Sequence, residues 1–226
     1  MSAQLRLSLN ELSALLKAVF QGCFGHRQDW AAITDTVMWL ETRGFGGLDM
    51  VMEAMDKDLQ LSPCKVDIND IEDGVCEIDL NNGSLLCVLH MCADVAVDMA
   101  SKSGKATLVI KNARHGRAIM ASLMPASKFG YAAIAYWQDG HAQCSPNAVS
   151  PSFHAGDYEK VELHIETVQS QNPPSADASS NAITARYDHA LANGILVKRD
   201  VYDTLNQIAD RILVEATDAS RQGAGE

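Results

Sequence analysis

The chain has 226 residues, of which 47% are hydrophobic and 21% charged, with a formal net charge of -11. That is globular composition, long enough for one large core, and the acidic balance argues against a nucleic-acid surface, which draws on a basic face. No apolar run reaches the roughly 18 residues of a membrane span, the N-terminus lacks the apolar core of a signal peptide, and the six cysteines form no CxxC pair, so we expect reduced thiols, no membrane and a cytoplasmic protein.

Ser8-Leu9-Asn10-Glu11 fits a capping box and predicts a helix carrying Leu12, Leu15, Leu16, Val19, Phe20 and Cys23 on one stripe. Asp29 predicts the cap of a second helix, with Ile33, Val37 and Leu40 inward and a stop at Gly44. A short third helix over 47–55 completes an N-terminal helical cap, 8–56. The acidic stretch 57–73 reads as an irregular surface connection. Residues 74–80 alternate, with Cys76, Ile78 and Leu80 on one face, and Asn81-Asn82-Gly83 is a turn. Ser84 then caps a long helix, apolar nearly all round over its first half, that closes on Gly104.

Residues 105–137 read as strand, loop, helix and strand. Leu108, Val109 and Ile110 give the first strand; Ile119, Leu123 and Ala126 share one face of a helix over 116–128; Gly130 ends it, and an apolar strand follows. Strand, helix, strand, helix, strand over 74–137 is a βαβαβ series, whose crossovers make strands run parallel. Asp139-Gly140 is a turn and 141–157 irregular. Residues 159–167 alternate as a strand with one solvated face, suggesting an antiparallel edge. A flexible loop over 169–181 precedes a helix ending at Gly194, and Asp200 caps a last amphipathic helix with Val201, Leu205, Ile208, Ile212 and Leu213 inward. The expected architecture is α/β, one domain over 1–216: a helical cap, a mixed sheet over 74–166, C-terminal helices over 182–215, and a disordered tail over 217–226.

One loop gathers chemistry. Ligands in open α/β sheets bind outside the carboxyl ends of strands, near helix N-termini, and there stand Lys111, Asn112, Arg114, His115 and Arg117 with no acid among them. The imidazole of His115 suits general acid–base work. Arg114 and Arg117 suit a carboxylate or phosphate, with Lys111 and the helix-start amides adding to the field. The bland alternative is a basic surface loop without a ligand. Cys87 and His90 share a helix, and His141 and Cys144 have ligand-like spacing near His154, but no second ligand pair completes a metal site, and none is expected. Gly44-Phe45-Gly46-Gly47 follows a helix rather than a strand, so the dinucleotide fingerprint fails on context. No P-loop, GxSxG or HExxH is present.

The run 109–137, with Asn112, His115, Ala118, Ala126, Gly130, Ile134 and Ala135 in register, resembles a segment of the type-2 malate/L-lactate dehydrogenase family. The helix closing on Gly104 and the helix pair closing on Arg43-Gly44 are similar too, so the resemblance covers 8–50 and 74–137. It implies that family's fold, which is not a Rossmann fold, and a homodimer with sites at the interface. It implies His115 as the acid/base for hydride transfer between a 2-hydroxy acid and NAD or NADP. The chain departs from the pattern in three places. Phe45-Gly46-Gly47-Leu48 stands where the family has Asp-Ser-His-Gly, Arg114 and Arg117 replace an Asn and a Gly around the His, and the family's chains are considerably longer, with much of the added part binding the nicotinamide. Read over its full length, the chain is also similar to an uncharacterised bacterial family of short chains, from a SLNEL-like start to Ser220-Arg221 and Gly223-Ala224-Gly225.

The resulting expectation is a dehydrogenase-like protein without the nicotinamide site. It binds a small organic anion, a hydroxy or keto acid, at Lys111, Asn112, Arg114, His115 and Arg117. Two alternatives stand beside it: a cofactor-independent isomerase or dehydratase using His115, and an NAD(P)-dependent oxidoreductase with a reduced cofactor site.

Overall fold

A computed structural model describes residues 3–24, 29–56, 66–71, 74–137, 140–145, 152–153, 161–166 and 178–210. The elements in chain order are β1 (Gln4–Leu7), α1 (Leu9–Phe24), α2 (Trp30–Thr42), α3 (Gly47–Asp56), β2 (Asp67–Ile71), β3 (Val75–Asp79), a 3-10 turn η1 (Leu85–Cys87) and α4 (Leu89–Ser103). Then come β4 (Lys105–Lys111), a second 3-10 segment η2 (Gly116–Ser122), α5 (Leu123–Lys128), β5 (Ala132–Trp137), β6 (Gly140–Cys144), β7 (Ser152–Phe153), β8 (Val161–Glu166), α6 (Ala178–Asn193), β9 (Ile195–Lys198) and α7 (Arg199–Ala209).

Local chemistry sets the first helices as the sequence predicts. The Glu11 amide donates to Ser8 Oγ at 3.2 Å and the Ser8 amide to Glu11 Oε2 at 2.7 Å, the two reciprocal bonds of a capping box. Asp29 caps α2 by accepting from the Ala32 amide at 3.0 Å. The stripe Leu12, Leu16, Val19 and Phe20 of α1 is buried, and α1 packs against α2 and α7, where Leu205 and Ile208 are also buried. Each such side chain contributes about 1.5–3 kcal/mol by leaving water.

Seven strands form one mixed sheet in the order β2-β3-β4-β8-β5-β6-β7, with β3 and β4 parallel and the other neighbours antiparallel. Cys76, Ile78, Ala106, Leu108, Ile110, Ala133, Ala135, Ala142 and Cys144 turn one face inward, and α4, η2 and α5 cover it. Among the described residues no helix is long and apolar enough to cross a membrane.

Several expectations need correction. Residues 67–71, read as part of an irregular connection, are β2, which pairs antiparallel with β3. β4 and β5 do run in the same direction, but they are not neighbours, because β8 lies between them, antiparallel to both. The strand expected at an edge is therefore central; its alternation gave no sign of partners on both sides. Residues 141–144 and 152–153, read as irregular, belong to β6 and β7, and Gly140, expected in a turn with Asp139, opens β6; Asp139 lies outside the described residues. The long helix does not start at Ser84: a 3-10 turn comes first, and the Ser84 hydroxyl makes no cap bond. The helix expected over 116–128 opens as 3-10 and becomes α only at Leu123. The last helix starts at Arg199 with Lys198 at the cap, so Asp200 sits inside its first turn. Residues 178–181, given to a loop, open α6. A second sheet of β1 and β9, which ties the two ends of the described chain together, was not anticipated. Ile212, Leu213 and the tail lie outside the described residues.

Candidate functional site

The carboxyl ends of the two parallel strands, β3 and β4, carry two loops bonded side by side. The Asn82 amide donates to the Asn112 carbonyl at 2.8 Å, the Arg114 amide to Gly83 at 2.8 Å, and the Leu85 amide to Arg114 at 2.9 Å. Four residues that are not glycine have positive φ here: Asn81 (49°), Asn82 (64°), Asn112 (51°) and His115 (58°). Asn and His tolerate this region better than most residues, so the residue types fit the geometry. Each loop feeds a helical segment, η1 and α4 from the first, η2 and α5 from the second.

His115 sits at the cap of η2, half-buried, with ring Nδ1 2.8 Å from the hydroxyl of buried Ser84. Sequence reasoning missed Ser84 as a site residue, because a serine before a helical run reads as its cap. Asn82 and Gly83 were missed as well, although the positive-φ chemistry of Asn-Asn-Gly was visible. Arg117, exposed, donates from a guanidinium nitrogen to the Phe45 carbonyl at 3.3 Å, drawing the turn between α2 and α3 against the loop. Arg114 is half-buried, and its Nε is buried without a hydrogen-bond partner among the described residues.

Asn112 and Lys111 point elsewhere. The Asn112 amide donates to both oxygens of Asp79, at 3.0 and 2.9 Å, and Lys111 forms an ion pair with Glu77. The Asn81 backbone amide and the Asn112 side chain hold the Asp79 carboxyl below its usual range. The structure thus joins His115 to Ser84 by side chain and Arg114 to the same loop by backbone, with Arg117 reaching the Phe45 carbonyl, while Lys111 and Asn112 contact residues of strand β3.

The glycine cluster 44–47 is fully occupied by its turn. Gly44 and Gly46 have φ of 78° and 69°, and a Cβ on Gly47 would lie 2.4 Å from the Val37 carbonyl oxygen. Gly47 thus serves the close approach of α3 to α2. Among the described residues no group of three or more His, Cys, Asp or Glu is placed to hold a metal ion. His141 lies beside Tyr136, with ring centroids 6.1 Å apart; Cys144 is buried beside Met124 and its thiol is pushed up by that burial. His154 lies outside the described residues.

No protein-family model matches the sequence, and no curated protein is similar to it. Solved structures do share its fold. Malate dehydrogenase from Pyrococcus horikoshii OT3 superposes with a TM-score of 0.70 at 12% identity, covering 95% of this chain and 98% of that one. Malate dehydrogenase from Entamoeba histolytica gives 0.71 at 10% identity, over 94% and 99%. Sulfolactate dehydrogenase from Methanocaldococcus jannaschii gives 0.62 at 10% identity, over 92% and 97%. The fold is malate/lactate dehydrogenase-like, and the likeness is not confined to 8–50 and 74–137, as the sequence resemblance was, but spans nearly the whole chain.

Proposed function

We propose that this dehydrogenase-like fold binds a small organic anion, a hydroxy or keto acid, at the loop of Arg114, His115 and Arg117, and does so without a resident nicotinamide. The observation that carries the reading is the contact of the His115 ring with Ser84 at the carboxyl ends of the parallel strands, beside an arginine whose Nε is buried and has no hydrogen-bond partner among the described residues. A carboxylate reaching this loop would meet two guanidinium groups and the opening amides of η2. With Nδ1 engaged by Ser84, proton exchange with the ligand falls to Nε2. Fold neighbours named for malate and sulfolactate support an acid as ligand. Lys111 and Asn112 contribute by holding the loop against β3, and Lys111 adds positive field. A homodimer is part of the proposal and is read by sedimentation.

The Ser84–His115 pair favours one second reading, a cofactor-independent isomerase or dehydratase of such an acid, because it adds a hydroxyl to a single base. An NAD(P)-dependent oxidoreductase is the third.

A thermal-shift panel separates them. It holds 2-hydroxy acids, 2-keto acids, sugar acids and phosphate, each with and without NAD(H) or NADP(H). A ligand at 100 times its dissociation constant stabilises by about 2.7 kcal/mol. A shift with an acid alone, lost in His115→Ala and Arg117→Ala, supports the proposal. Turnover of that acid without cofactor moves the reading to the isomerase. A shift with nicotinamide alone moves it to the oxidoreductase. Anion binding unchanged in both variants sinks it.

A further inference from the structure

Two acids meet at the start of α3, and only one is used by the fold. Glu41, near the end of α2, accepts from the Leu48 amide at 2.9 Å and from the Gly47 amide, so Glu41 satisfies the opening amides of α3. Gly46 leads into the helix with φ of 69°, and its carbonyl accepts from the Met50 amide at 3.1 Å. Asp49, in the first turn of α3, is exposed and makes no hydrogen bond or ion pair among the described residues.

What faces Asp49 comes from the other loop. A Cβ placed on Gly46 would lie 3.3 Å from Asp49 Oδ2 and 3.4 Å from Arg117 Nη1, so a carboxylate and a guanidinium border one small space. The next nearest atom to that point is Asp49 Cβ, at 3.7 Å. The two charges do not close on each other in an ion pair. Arg117 is instead held at the turn, where the same Nη1 donates to the Phe45 carbonyl at 3.3 Å. Any other residue at position 46 would put its own side chain into the space, and glycine leaves it open. Both Asp49 and Arg117 are exposed, so the space is reached from solvent.

We infer that Asp49 accepts from the 2-substituent of the acid held by Arg117, and so makes the site one for a 2-hydroxy acid rather than a 2-keto acid. The inference rests on the proposed binding of an acid at the His115 loop. With the ligand carboxylate on the Arg117 guanidinium, the group on the adjoining carbon reaches the space over Gly46. An ionised carboxylate can only accept. A 2-hydroxyl donates to it and forms a charge-assisted bond. A 2-keto oxygen carries no proton and sets its lone pairs against the carboxylate. The two ligands have almost the same size, so the choice between them is made by hydrogen bonding. A site that pairs a hydroxyl rejects the analogue lacking it far more strongly than shape alone can.

The test is titration calorimetry of the full chain with 2-hydroxybutyrate and 2-oxobutyrate, which share a carbon skeleton. The wild type binds the hydroxy acid more tightly. Asp49→Ala weakens the hydroxy acid roughly tenfold, the loss of one hydrogen bond to a charged group, and does not weaken the keto acid. Asp49→Asn, which keeps an acceptor without the charge, restores part of the preference. A role of Asp49 in the fold alone would move both ligands together. Gly46→Ala puts a methyl group into the space and weakens the hydroxy acid. Gly130→Ala, also at positive φ but with nothing within 4 Å of its Cβ, meets the same backbone strain away from the site and keeps it. Equal affinities for the two acids in the wild type, or a ratio unchanged in Asp49→Ala, would overturn the inference and leave the anion site standing. No binding of either acid to the wild type would overturn both.

Discussion

The ring of His115 and the hydroxyl of Ser84 meet at 2.8 Å across two loops that are far apart in sequence and joined by backbone hydrogen bonds. This contact holds ring Nδ1 at the Ser84 hydroxyl. Removing it with Ser84→Ala leaves Nδ1 without its partner in a half-buried position, which costs about 1–2 kcal/mol. Denaturant melts should show that loss, and nitrogen-15 NMR should show the His115 Nδ1 resonance shift. Anion binding at the loop should weaken less than in His115→Ala, because Ser84 orients the ring and need not touch the ligand. An unchanged Nδ1 resonance in Ser84→Ala would show that something else orients it.

Asp79 and Asn112 make the second brace of the same loop. Asp79 accepts from the Asn81 amide at 2.8 Å and from the Asn112 side chain, which lowers its pKa. A carboxyl depressed in the folded state contributes stability above its unfolded pKa and loses it as pH falls through the folded value. Acid unfolding of Asp79→Asn should therefore be less steep than that of the wild type below the ordinary carboxylate range. At Asn112 itself, φ of 51° predicts that Asn112→Gly keeps the loop, while Asn112→Val strains it by about 1–2 kcal/mol. Equal melting temperatures for the two variants would contradict this.

Glu41 should give the opposite pH sign. Its carboxylate accepts from the Leu48 amide at 2.9 Å, but burial outweighs that bond and raises its pKa, with Asp49 adding to the rise. A raised carboxyl means that the folded state binds the proton more tightly. Its contribution is fully present below the unfolded pKa and is lost as pH rises through the folded one. Glu41→Gln removes the titration while keeping an acceptor for Leu48. The variant should gain melting temperature relative to the wild type as pH rises through and above the ordinary carboxylate range. A difference that stays flat with pH would remove Glu41 as the cause.

What the sequence disclosed was what short range decides. The capping box of Ser8 and Glu11 needs residues three apart, and Asp29 needs only the amide of Ala32, so both were legible. β4 was legible because Leu108 and Ile110 alternate with half-buried neighbours inside one run. β8 alternates just as clearly, yet its place between β4 and β5 depends on partners at distant positions. The pairing of Gln4–Leu7 with Ile195–Lys198 joins the two ends of the described chain, and four residues at each end carry too little pattern to announce it. At the site, the basic loop was legible by residue type. Its division of labour was not, because the carboxylates that engage Lys111 and Asn112 come from β3, on the neighbouring strand.

The α2–α3 turn offers a test of how that loop depends on its neighbours. Gly47 opens α3 against the end of α2, where a Cβ would lie 2.4 Å from the Val37 carbonyl oxygen and 3.0 Å from the Glu41 nitrogen. Both obstacles are backbone atoms of a helix, so neither can swing aside as a side chain could. Gly47→Ala must push α3 away from α2, with a cost of about 2–4 kcal/mol, in the range of overpacked positions. The same shift displaces Phe45, whose carbonyl accepts from Arg117 and whose ring stacks on Trp39. Gly47→Ala should thus lower the melting temperature and also weaken anion binding at the His115 loop, although Gly47 has no part in that loop. Gly130→Ala is the control for the first effect: it too has positive φ, 84°, but nothing lies within 4 Å of its Cβ, so it meets backbone strain without a collision. A Gly47→Ala protein no less stable than Gly130→Ala would mean that α2 and α3 can separate at little cost, and the coupling of this turn to Arg117 would then lose its basis.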